Sequence, residues 1–342
     1  MRVDGIPMRT IWPQADEESM NQHINRRQFL KRASLLPLCG MAVGSLMTSK
    51  PAAAQASRPT TFGVSLNAYS FNKFLLADLA NPGASMTLMA VLDYAAAAKF
   101  DAIDPTGYYF PGYPKRPDDA YLDAFKHKAA DLGVAISGTG VRNNFTTSDK
   151  SVRDADVQLI KDWIEVSARL GAPVLRVFAD TQKGLTWQDV AKGFTHQQVQ
   201  DWIVDDLKQC VEHAKQFGVR LGLQNHGDFL RTAQDVLALL DAVDSPWCGP
   251  IVDIGSFKSK DPYADIAALA PRAVNWQIKQ SLANTDPNFP PDLPRLMRIV
   301  RDSGYHGYLP IETLTPAANP ADQEKAVSAF LNQVREAIAG TG

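Results

Sequence analysis

Four apolar segments in the second half of the chain each end in a side chain that can bind a metal ion. Their last residues are Gln224, Asp253, Gln277 and Glu312, in the sequences RLGLQ, GPIVD, NWQ and YLPIE. An apolar run closed by a polar residue is typical of a buried parallel strand whose last side chain reaches a site. The two carboxylates at these positions predict either a divalent cation or acid–base chemistry. The two amides predict weaker metal binding, because an amide supplies an oxygen donor without a negative charge.

The elements that must position these side chains alternate regularly along the chain. Apolar strand-like runs are separated by amphipathic stretches, which is the pattern of a parallel barrel and not of a β-sandwich. Eight runs are predicted as strands: residues 62–66, 102–104, 134–137, 174–178, 219–224, 250–254, 274–279 and 308–312. The predicted fold class is therefore α/β, a single (β/α)8 TIM barrel that spans residues 57–342.

Two patterns between these strands predict helices, and two longer connections predict loops over a site. Apolar residues recur at three- and four-residue steps between the fourth and fifth strands, which indicates one buried helix face: Val199, Trp202, Ile203, Leu207, Cys210, Val211, Ala214 and Phe217. Thr232 followed by Asp235 is a capping box that opens the next helix. Residues 105–117 and 180–194 exceed ordinary connections in length, so we expect them to form walls over the site.

The first 56 residues read as a leader that precedes the barrel. Residues 25–31, NRRQFLK, match a twin-arginine export signal, and a short apolar run follows over residues 33–47. Ala-x-Ala sequences within residues 52–56 offer cleavage sites, after which no membrane span is expected. The sequence thus predicts the twin-arginine (Tat) export machinery as a partner and a periplasmic or secreted location. A basic unstructured tail is the alternative, and both Met1 and Met20 remain candidate start residues.

Composition argues against one class of partner, and the positions of the cysteines indicate whether they are free. The chain is 45% hydrophobic and 21% charged with a net charge of −2 and no basic stripe, so a nucleic-acid partner is not expected. Cys39 lies in the leader. Cys210 falls on the predicted apolar helix face, so we predict that Cys210 and Cys248 are buried thiols, with a disulfide between them as the alternative.

The order and spacing of the four strand ends resemble the xylose isomerase-like superfamily of sugar isomerases and epimerases. In that family the fifth strand ends in Glu-Asn-His, the sixth carries an Asp before Gly, the seventh carries a His shortly before a Lys, and the eighth ends in Glu. The corresponding segments here are Gln224-Asn225-His226, Asp253-Ile254-Gly255, Gln277-Ile278-Lys279 and Ile311-Glu312. Asp253 and Glu312 match the family pattern, whereas Gln224 and Gln277 depart from it.

The resemblance implies a metal-assisted reaction. In the family a Mn²⁺, Mg²⁺ or Co²⁺ ion polarises a substrate carbonyl and the neighbouring hydroxyl. The implied ligands are Gln224, Asp253, Gln277 and Glu312, with the two amides weakening the cage. Gln224 cannot take a proton, so the two-glutamate mechanism of the epimerase branch cannot operate unchanged.

Other residues are candidates for the catalytic groups. Strand alternation places His226 on the same side as Gln224 and nearer the barrel mouth, close to Lys279 and Glu312. His226 is a candidate base there, and Glu312 and Lys279 are further candidate catalytic residues. In the alternative, His226 only binds a substrate hydroxyl or packs under a loop.

Several polar strand-end residues are candidates for binding a small carbohydrate. They are Tyr69, Asp104, Arg142, Asn143 and Asn225, with Asp180 after the fourth strand and the aromatic run Tyr108, Tyr109 and Phe110. Amides, hydroxyls and aromatic rings suit a polyol, and no glycine-rich phosphate cradle follows the last two strands, which favours a neutral sugar over a phosphosugar.

The sequence is compatible with three functions from different classes. The first is a sugar or keto-sugar isomerase or epimerase that works by metal-assisted proton abstraction next to a carbonyl. The second is a lyase or hydratase on oxidised (3-keto) sugars or glycosides, which needs one base. The third is a non-catalytic carbohydrate-binding barrel. An oligomer is compatible with all three.

Overall fold

The computed structural model describes residues 62–180 and 184–341. Within these residues all strand pairs are parallel. The strands are β1 (Gly63–Asn67), β2 (Ala102–Asp104), β3 (Ala135–Ile136), β4 (Thr139–Gly140), β5 (Val174–Phe178), β6 (Arg220–Gln224), β7 (Cys248–Asp253), β8 (Asn275–Lys279) and β9 (Tyr308–Glu312). Their order in the sheet is β3-β2-β1-β9-β8-β7-β6-β5-β4, and β3 and β4 are consecutive pieces of one interrupted strand. The sheet is therefore a nearly closed parallel barrel, which confirms the predicted fold class.

The third predicted strand differs most from the expectation. The sequence predicts one run over residues 134–137, whereas the structure has β3 within that run, paired with β2, and a second piece beyond it, β4, paired with β5. Gly140 in β4 has a packing role, because a Cβ there would lie 2.8 Å from the side chain of Arg176 on the neighbouring strand. The other seven strands lie within two residues of their predicted limits.

Helices surround the barrel and follow its strands. They are α1 (Asn72–Ala80), α2 (Leu88–Ala97), α3 (Asp119–Asp131), α4 (Lys150–Leu170), α5 (Trp187–Val190), α6 (His196–Phe217), α7 (Ala233–Val243), α8 (Pro262–Leu269), α9 (Leu293–Asp302) and α10 (Pro320–Ala339). Short 3-10 helices cover Ala68–Phe71, Gly107–Tyr109 and Ala270–Arg272.

Helices α6 and α7 have the features that the sequence predicts for them. The predicted face of α6 is buried except at Trp202, which is half-buried, and Phe217, which is exposed because it is the last residue before the Gly218 cap. The capping box of α7 is present, with Thr232 and Asp235 bonding to each other's backbone N–H groups. The two side chains thereby accept hydrogen bonds from backbone N–H groups that have no partner within the first turn of the helix.

The structure describes both predicted buried cysteines but not the predicted leader. Cys210 and Cys248 are both buried free thiols, as predicted. In the described part of the chain, no helix combines the length and apolar character needed to cross a membrane. The predicted leader, residues 1–56 with its export signal and cleavage site, lies outside the described residues.

Candidate active site

The carboxyl ends of β6, β7, β8 and β9 bring the four predicted ligand positions into one cluster. Gln224 Nε2 donates to Asp253 Oδ2 at 2.7 Å, which joins β6 to β7. The amide of Gln277 approaches the amide of Gln224 at 2.7 Å and Glu312 Oε2 at 3.3 Å. All four residues are at most 4% exposed. The strand ends thus build one buried polar centre at the end of the barrel where active sites lie in this fold.

Lys279 places an ammonium group inside this centre. It stands two residues after Gln277 on β8, hence on the same face, and its register partner on β9 is Glu312. Lys279 Nζ donates to Asp253 Oδ2 at 2.7 Å and to Asn284 Oδ1 at 3.1 Å, and it lies 3.6 Å from Glu312 Oε2. A buried cation therefore lies between the two carboxyl groups of the cluster.

The two carboxyl groups respond differently to Lys279. Burial by itself would raise the pKa of Asp253, but the Lys279 ammonium and the hydrogen bonds from Lys279 and Ser256 hold it below its ordinary value. Burial raises the pKa of Glu312, and the more distant Lys279 offsets this only in part. Burial would lower the pKa of Lys279, but Asp253 and Glu312 hold it above its ordinary value. The arrangement favours an ion pair of Lys279 with Asp253 beside a carboxyl that retains its proton more readily.

Asp253 is almost fully occupied by hydrogen bonds from the protein. Its Oδ2 atom accepts from Gln224, from Lys279 and from Ser256 Oγ, each at 2.7 Å. Its Oδ1 atom accepts from the N–H of Gly255 at 3.0 Å. This carboxylate therefore acts as the fixed anion of the cluster.

The amide of Gln277 has two possible orientations with different partners. In one, its oxygen accepts from Gln224 Nε2 at 2.7 Å. In the other, its oxygen accepts from Arg176 Nη1 at 2.9 Å and from Asn67 Nδ2 at 3.3 Å, while its nitrogen donates to Glu312 at 3.3 Å. The second orientation serves more partners but brings the nitrogens of the two amides together. Gln224 Oε1 is buried and accepts no hydrogen bond from the described residues, so this oxygen is free to accept from a substrate hydroxyl.

Arg176 is a second buried cation of the site, and the sequence did not indicate it. It lies in the middle of β5, in the run VLRVF that reads as an apolar strand, and it is 3% exposed. Its Nη2 atom donates to Tyr108 Oη at 2.7 Å. Tyr108 belongs to the connection 105–117, so this predicted wall does reach the site. The charge of Arg176 also opposes the burial that raises the pKa of Asp104, one of the predicted substrate-binding residues.

A histidine–aspartate pair lies at the mouth of the barrel beside this centre. His226 Nδ1 lies 2.8 Å from Asp180 Oδ2, and Arg142 Nη2 lies 2.8 Å from the same oxygen. Asp180 is 5% exposed on its side chain, whereas His226 is 37% exposed. A carboxylate bonded to Nδ1 orients the ring and leaves Nε2 as the reactive nitrogen. The pair therefore has the arrangement of a general base that a buried carboxylate supports.

Gly227, directly after the histidine, makes this pair possible. Its φ of +77° lies in the left-handed region, and a Cβ at this position would lie 1.9 Å from Asp180 Oδ1. Only glycine fits both the backbone conformation and the approach of the carboxylate. Asp180 had been predicted only as one of several pocket residues, because sequence alone does not show which carboxylate reaches His226.

Asn143 and Asn225, predicted to bind substrate, have structural roles in this arrangement. Asn225 accepts from the N–H of Asp253 at 2.8 Å and donates to the carbonyl of Asp253 at 2.9 Å. Asn143 makes the same pair of bonds with the N–H and carbonyl of Phe178, at 2.8 and 2.7 Å. Each side chain thus bridges a strand end to its neighbour and fixes the spacing of the site. Tyr69 is half-buried in the 3-10 helix after β1, close to Tyr108.

The residues present do not fit a divalent cation held by the four strand ends. A metal at this point would need Asp253 as a ligand, but Asp253 Oδ2 already accepts three hydrogen bonds, one of them from the Lys279 ammonium. A divalent ion and an ammonium group at the same carboxylate oxygen would also repel each other. Within the described residues, no set of three His, Cys, Asp or Glu side chains is placed to hold a metal. The metal predicted from the family resemblance therefore does not suit this donor set.

Comparison with known proteins agrees with the fold. Residues 92–334 match the family described as xylose isomerase-like TIM barrel. The chain belongs to this family. Its barrel also superimposes on the crystal structure of D-psicose 3-epimerase with D-tagatose from Clostridium cellulolyticum H10, with a TM-score of 0.67 and 13% identity over 81% of this chain and 99% of that one. At this identity the structural match supports the fold alone.

Two curated relatives are similar over shorter segments. The C-glycoside deglycosidase alpha subunit of Arthrobacter globiformis is 30% identical over 152 residues, which is 42% of this chain and 35% of the relative. The 3-oxo-isoapionate decarboxylase of Pectobacterium atrosepticum is 34% identical over 87 residues, which is 25% of this chain and 31% of the relative. The matched segments thus span about a third of the length of each relative.

Proposed function

We propose that this protein is an isomerase or epimerase of a sugar that carries a carbonyl group, and that it acts by removing a proton from the carbon next to that carbonyl. The observation that carries the proposal is the His226–Asp180 pair at the mouth of the barrel, with Nδ1 and Oδ2 separated by 2.8 Å. A histidine whose Nδ1 is held by a carboxylate presents Nε2 to a substrate proton as a base.

Glu312 supplies the second group that such a reaction needs. Its buried carboxyl has a raised pKa. Glu312 ends β9 in the same strand-end cluster as Gln224, and His226 follows Gln224 by two residues. A base and a carboxyl group whose pKa is raised form a suitable pair for taking a proton from one atom and delivering one to another. The polar lining, including the free oxygen of Gln224, suits the hydroxyls of a sugar.

A lyase acting on oxidised sugars is the second candidate. It begins with the same proton abstraction but ends with loss of a group from the substrate, and His226 alone can serve as its base. The name of one relative favours it, since that protein is called a deglycosidase. The other is called a decarboxylase of a 3-oxo compound, where loss of carbon dioxide takes the place of proton abstraction. Both candidates share the first step and differ in the product.

The experiment that separates the candidates uses a 3-keto-glucoside and free ketoses in deuterium oxide. The proposed function predicts deuterium at the carbon next to the carbonyl and a stereoisomer or positional isomer as product, measured by NMR. Release of the aglycone with an unsaturated sugar would favour the lyase. Neither exchange nor product with these substrates, together with saturable carbohydrate binding, would favour the non-catalytic barrel.

We also propose that the chain is exported through the twin-arginine route and acts in the periplasm, because residues 25–31 carry the paired arginines. Replacing Arg26 and Arg27 together by lysine should keep the protein in the cytoplasm, as measured by fractionation. Export of this double variant at the normal level would contradict the proposed route.

A further inference from the structure

We propose that the Lys279 ammonium performs the task that a divalent cation performs in a metal-dependent sugar epimerase, namely to stabilise the oxygen of the enolate. This inference rests on the proposed function, since it requires an enolate. It begins from the position of Lys279 Nζ, 2.7 Å from Asp253 Oδ2 and 3.6 Å from Glu312 Oε2. A metal shared by these two carboxyl groups would have to lie in the same place.

The charges of the cluster support this replacement. Gln224 and Gln277 are neutral, so the four strand-end positions carry at most two negative charges, from Asp253 and Glu312. Lys279 supplies one positive charge inside the cluster, and buried Arg176 supplies a second one on the facing side of Gln277. A divalent ion added to this set would leave excess positive charge in a buried space, which is unfavourable. The two neutral amides and the buried lysine therefore balance the charge of the cluster without a divalent ion.

The geometry of the ammonium leaves one donor for a substrate. Lys279 Nζ has three N–H groups, of which one donates to Asp253 and one to Asn284 at 3.1 Å. Within the described residues, the third has Glu312 Oε2 as its neighbour at 3.6 Å, which is longer than a hydrogen bond. This N–H can bond to a substrate carbonyl oxygen without breaking the ion pair with Asp253.

The proposed step balances without a metal or a redox partner. His226 Nε2 takes the proton from the carbon next to the carbonyl, and the electron pair of that C–H bond forms the carbon–carbon double bond of the enolate. The former carbonyl π pair moves to the oxygen, where the Lys279 N–H stabilises the new negative charge. Delivery of the Glu312 proton to the other face of that carbon gives the epimer and leaves Glu312 ionised and His226 protonated, and exchange of protons with water restores both groups.

The test combines Mn²⁺ binding with proton exchange. Mn²⁺ titration calorimetry is performed on the wild type, on Lys279→Met, on Gln224→Glu/Gln277→His and on the triple variant that combines all three changes. We expect no stoichiometric Mn²⁺ binding in the wild type and at least ten-fold tighter binding in the triple variant than in the double variant, because the competing ammonium is gone. Tight one-to-one binding of Mn²⁺ by the wild type would overturn the proposal, as would equal affinities in the double and triple variants.

The activity arm measures deuterium exchange on the keto-sugar in the presence of a chelator. Wild-type exchange should be unchanged by the chelator, and Lys279→Met should lower it at least a hundred-fold. Lys279→Ala, which leaves space for a small amine, should lose exchange as well and recover it in part on adding methylammonium. Lys325→Met, at an exposed lysine on α10, is the matched control and should change nothing. Wild-type exchange that requires added Mn²⁺ would refute the role of Lys279. Absence of exchange in the wild type without and with Mn²⁺ would instead contradict the proposed function, and the calorimetry would still decide whether the ammonium holds the cation position.

Discussion

Replacing Lys279 by methionine should destabilise the fold strongly, because it leaves Asp253 as a buried charge without its counterion. The two side chains are 4% and 0% exposed, so water does not screen the pair. Removing one partner of a buried ion pair costs roughly 3–5 kcal/mol. Asp253 keeps hydrogen bonds from Gln224, Ser256 and Gly255, so we expect a loss of about 3 kcal/mol at pH 8, near the lower end of that range.

The double variant Lys279→Met/Asp253→Asn provides the control. It removes both charges and keeps similar volumes, and replacing a whole buried pair by neutral groups is often nearly neutral. We therefore expect it to be more stable than Lys279→Met alone by about 2 kcal/mol. Asp253→Asn completes the double-mutant cycle, from which the coupling energy of the pair is obtained. The measurement is urea unfolding with linear extrapolation, in which an unchanged slope shows that the same fold is unfolding.

The pH dependence gives the sharper test of the same pair. In the wild type the pKa of Asp253 is below its unfolded value, so its stabilising contribution is present above that unfolded value and is lost only as pH falls through the folded pKa. In Lys279→Met burial is no longer opposed by Lys279, and the pKa of Asp253 should rise above the unfolded value. The deficit of the variant should then shrink between pH 8 and pH 5, as Asp253 takes up a proton. A deficit below about 1 kcal/mol at pH 8, or one independent of pH, would refute the buried ion pair.

Three further predictions concern the histidine–aspartate pair and a half-buried carboxyl on α4. Asp180→Asn should lower deuterium exchange by roughly 100- to 10,000-fold, because His226 loses the carboxylate that orients it, and circular dichroism should show an intact fold. Gly227→Ala should cost about 1–3 kcal/mol in urea unfolding, since its Cβ would lie 1.9 Å from Asp180, whereas Gly218→Ala, with a similar φ of +69° and nothing within 4 Å, should show the backbone cost alone. Burial raises the pKa of Asp156 to about 6. Its contribution to stability is therefore complete below the unfolded pKa and is lost as pH rises through about 6, so Asp156→Asn should gain up to roughly 3 kcal/mol relative to wild type between pH 4 and pH 8. Parallel pH curves for the two proteins would contradict this assignment.

The barrel and its four strand-end residues were predictable because both follow from a regular pattern. A short apolar run and a closing polar residue identify a buried parallel strand and the side chain at its end, as at Asp253 and Glu312. The sequence also predicted that Lys279 belongs to the same site. It did not predict the bond between Lys279 and Asp253, because that contact depends on how far β8 is shifted relative to β7.

The parts that could not be predicted depend on single contacts between distant segments. Arg176 lies within an apolar strand, and its side chain packs against Gly140 of the neighbouring strand, where a larger residue would collide with it. Asn143 and Asn225 read as substrate ligands because they are polar and follow strands, but each amide bonds to the backbone beside it. In the sequence, a polar residue that binds a substrate looks the same as one that bonds to the neighbouring backbone.

The most direct test of the account is deuterium exchange by metal-free wild-type protein on a 3-keto-glucoside, followed by NMR with a chelator present throughout. We expect deuterium at the carbon next to the carbonyl, at a rate that falls at least a hundred-fold in Asp180→Asn and in Lys279→Met. Exchange that persists in both variants would contradict the assignment of the base and of the internal cation. Exchange that begins only when Mn²⁺ is added would contradict the replacement of the metal by Lys279.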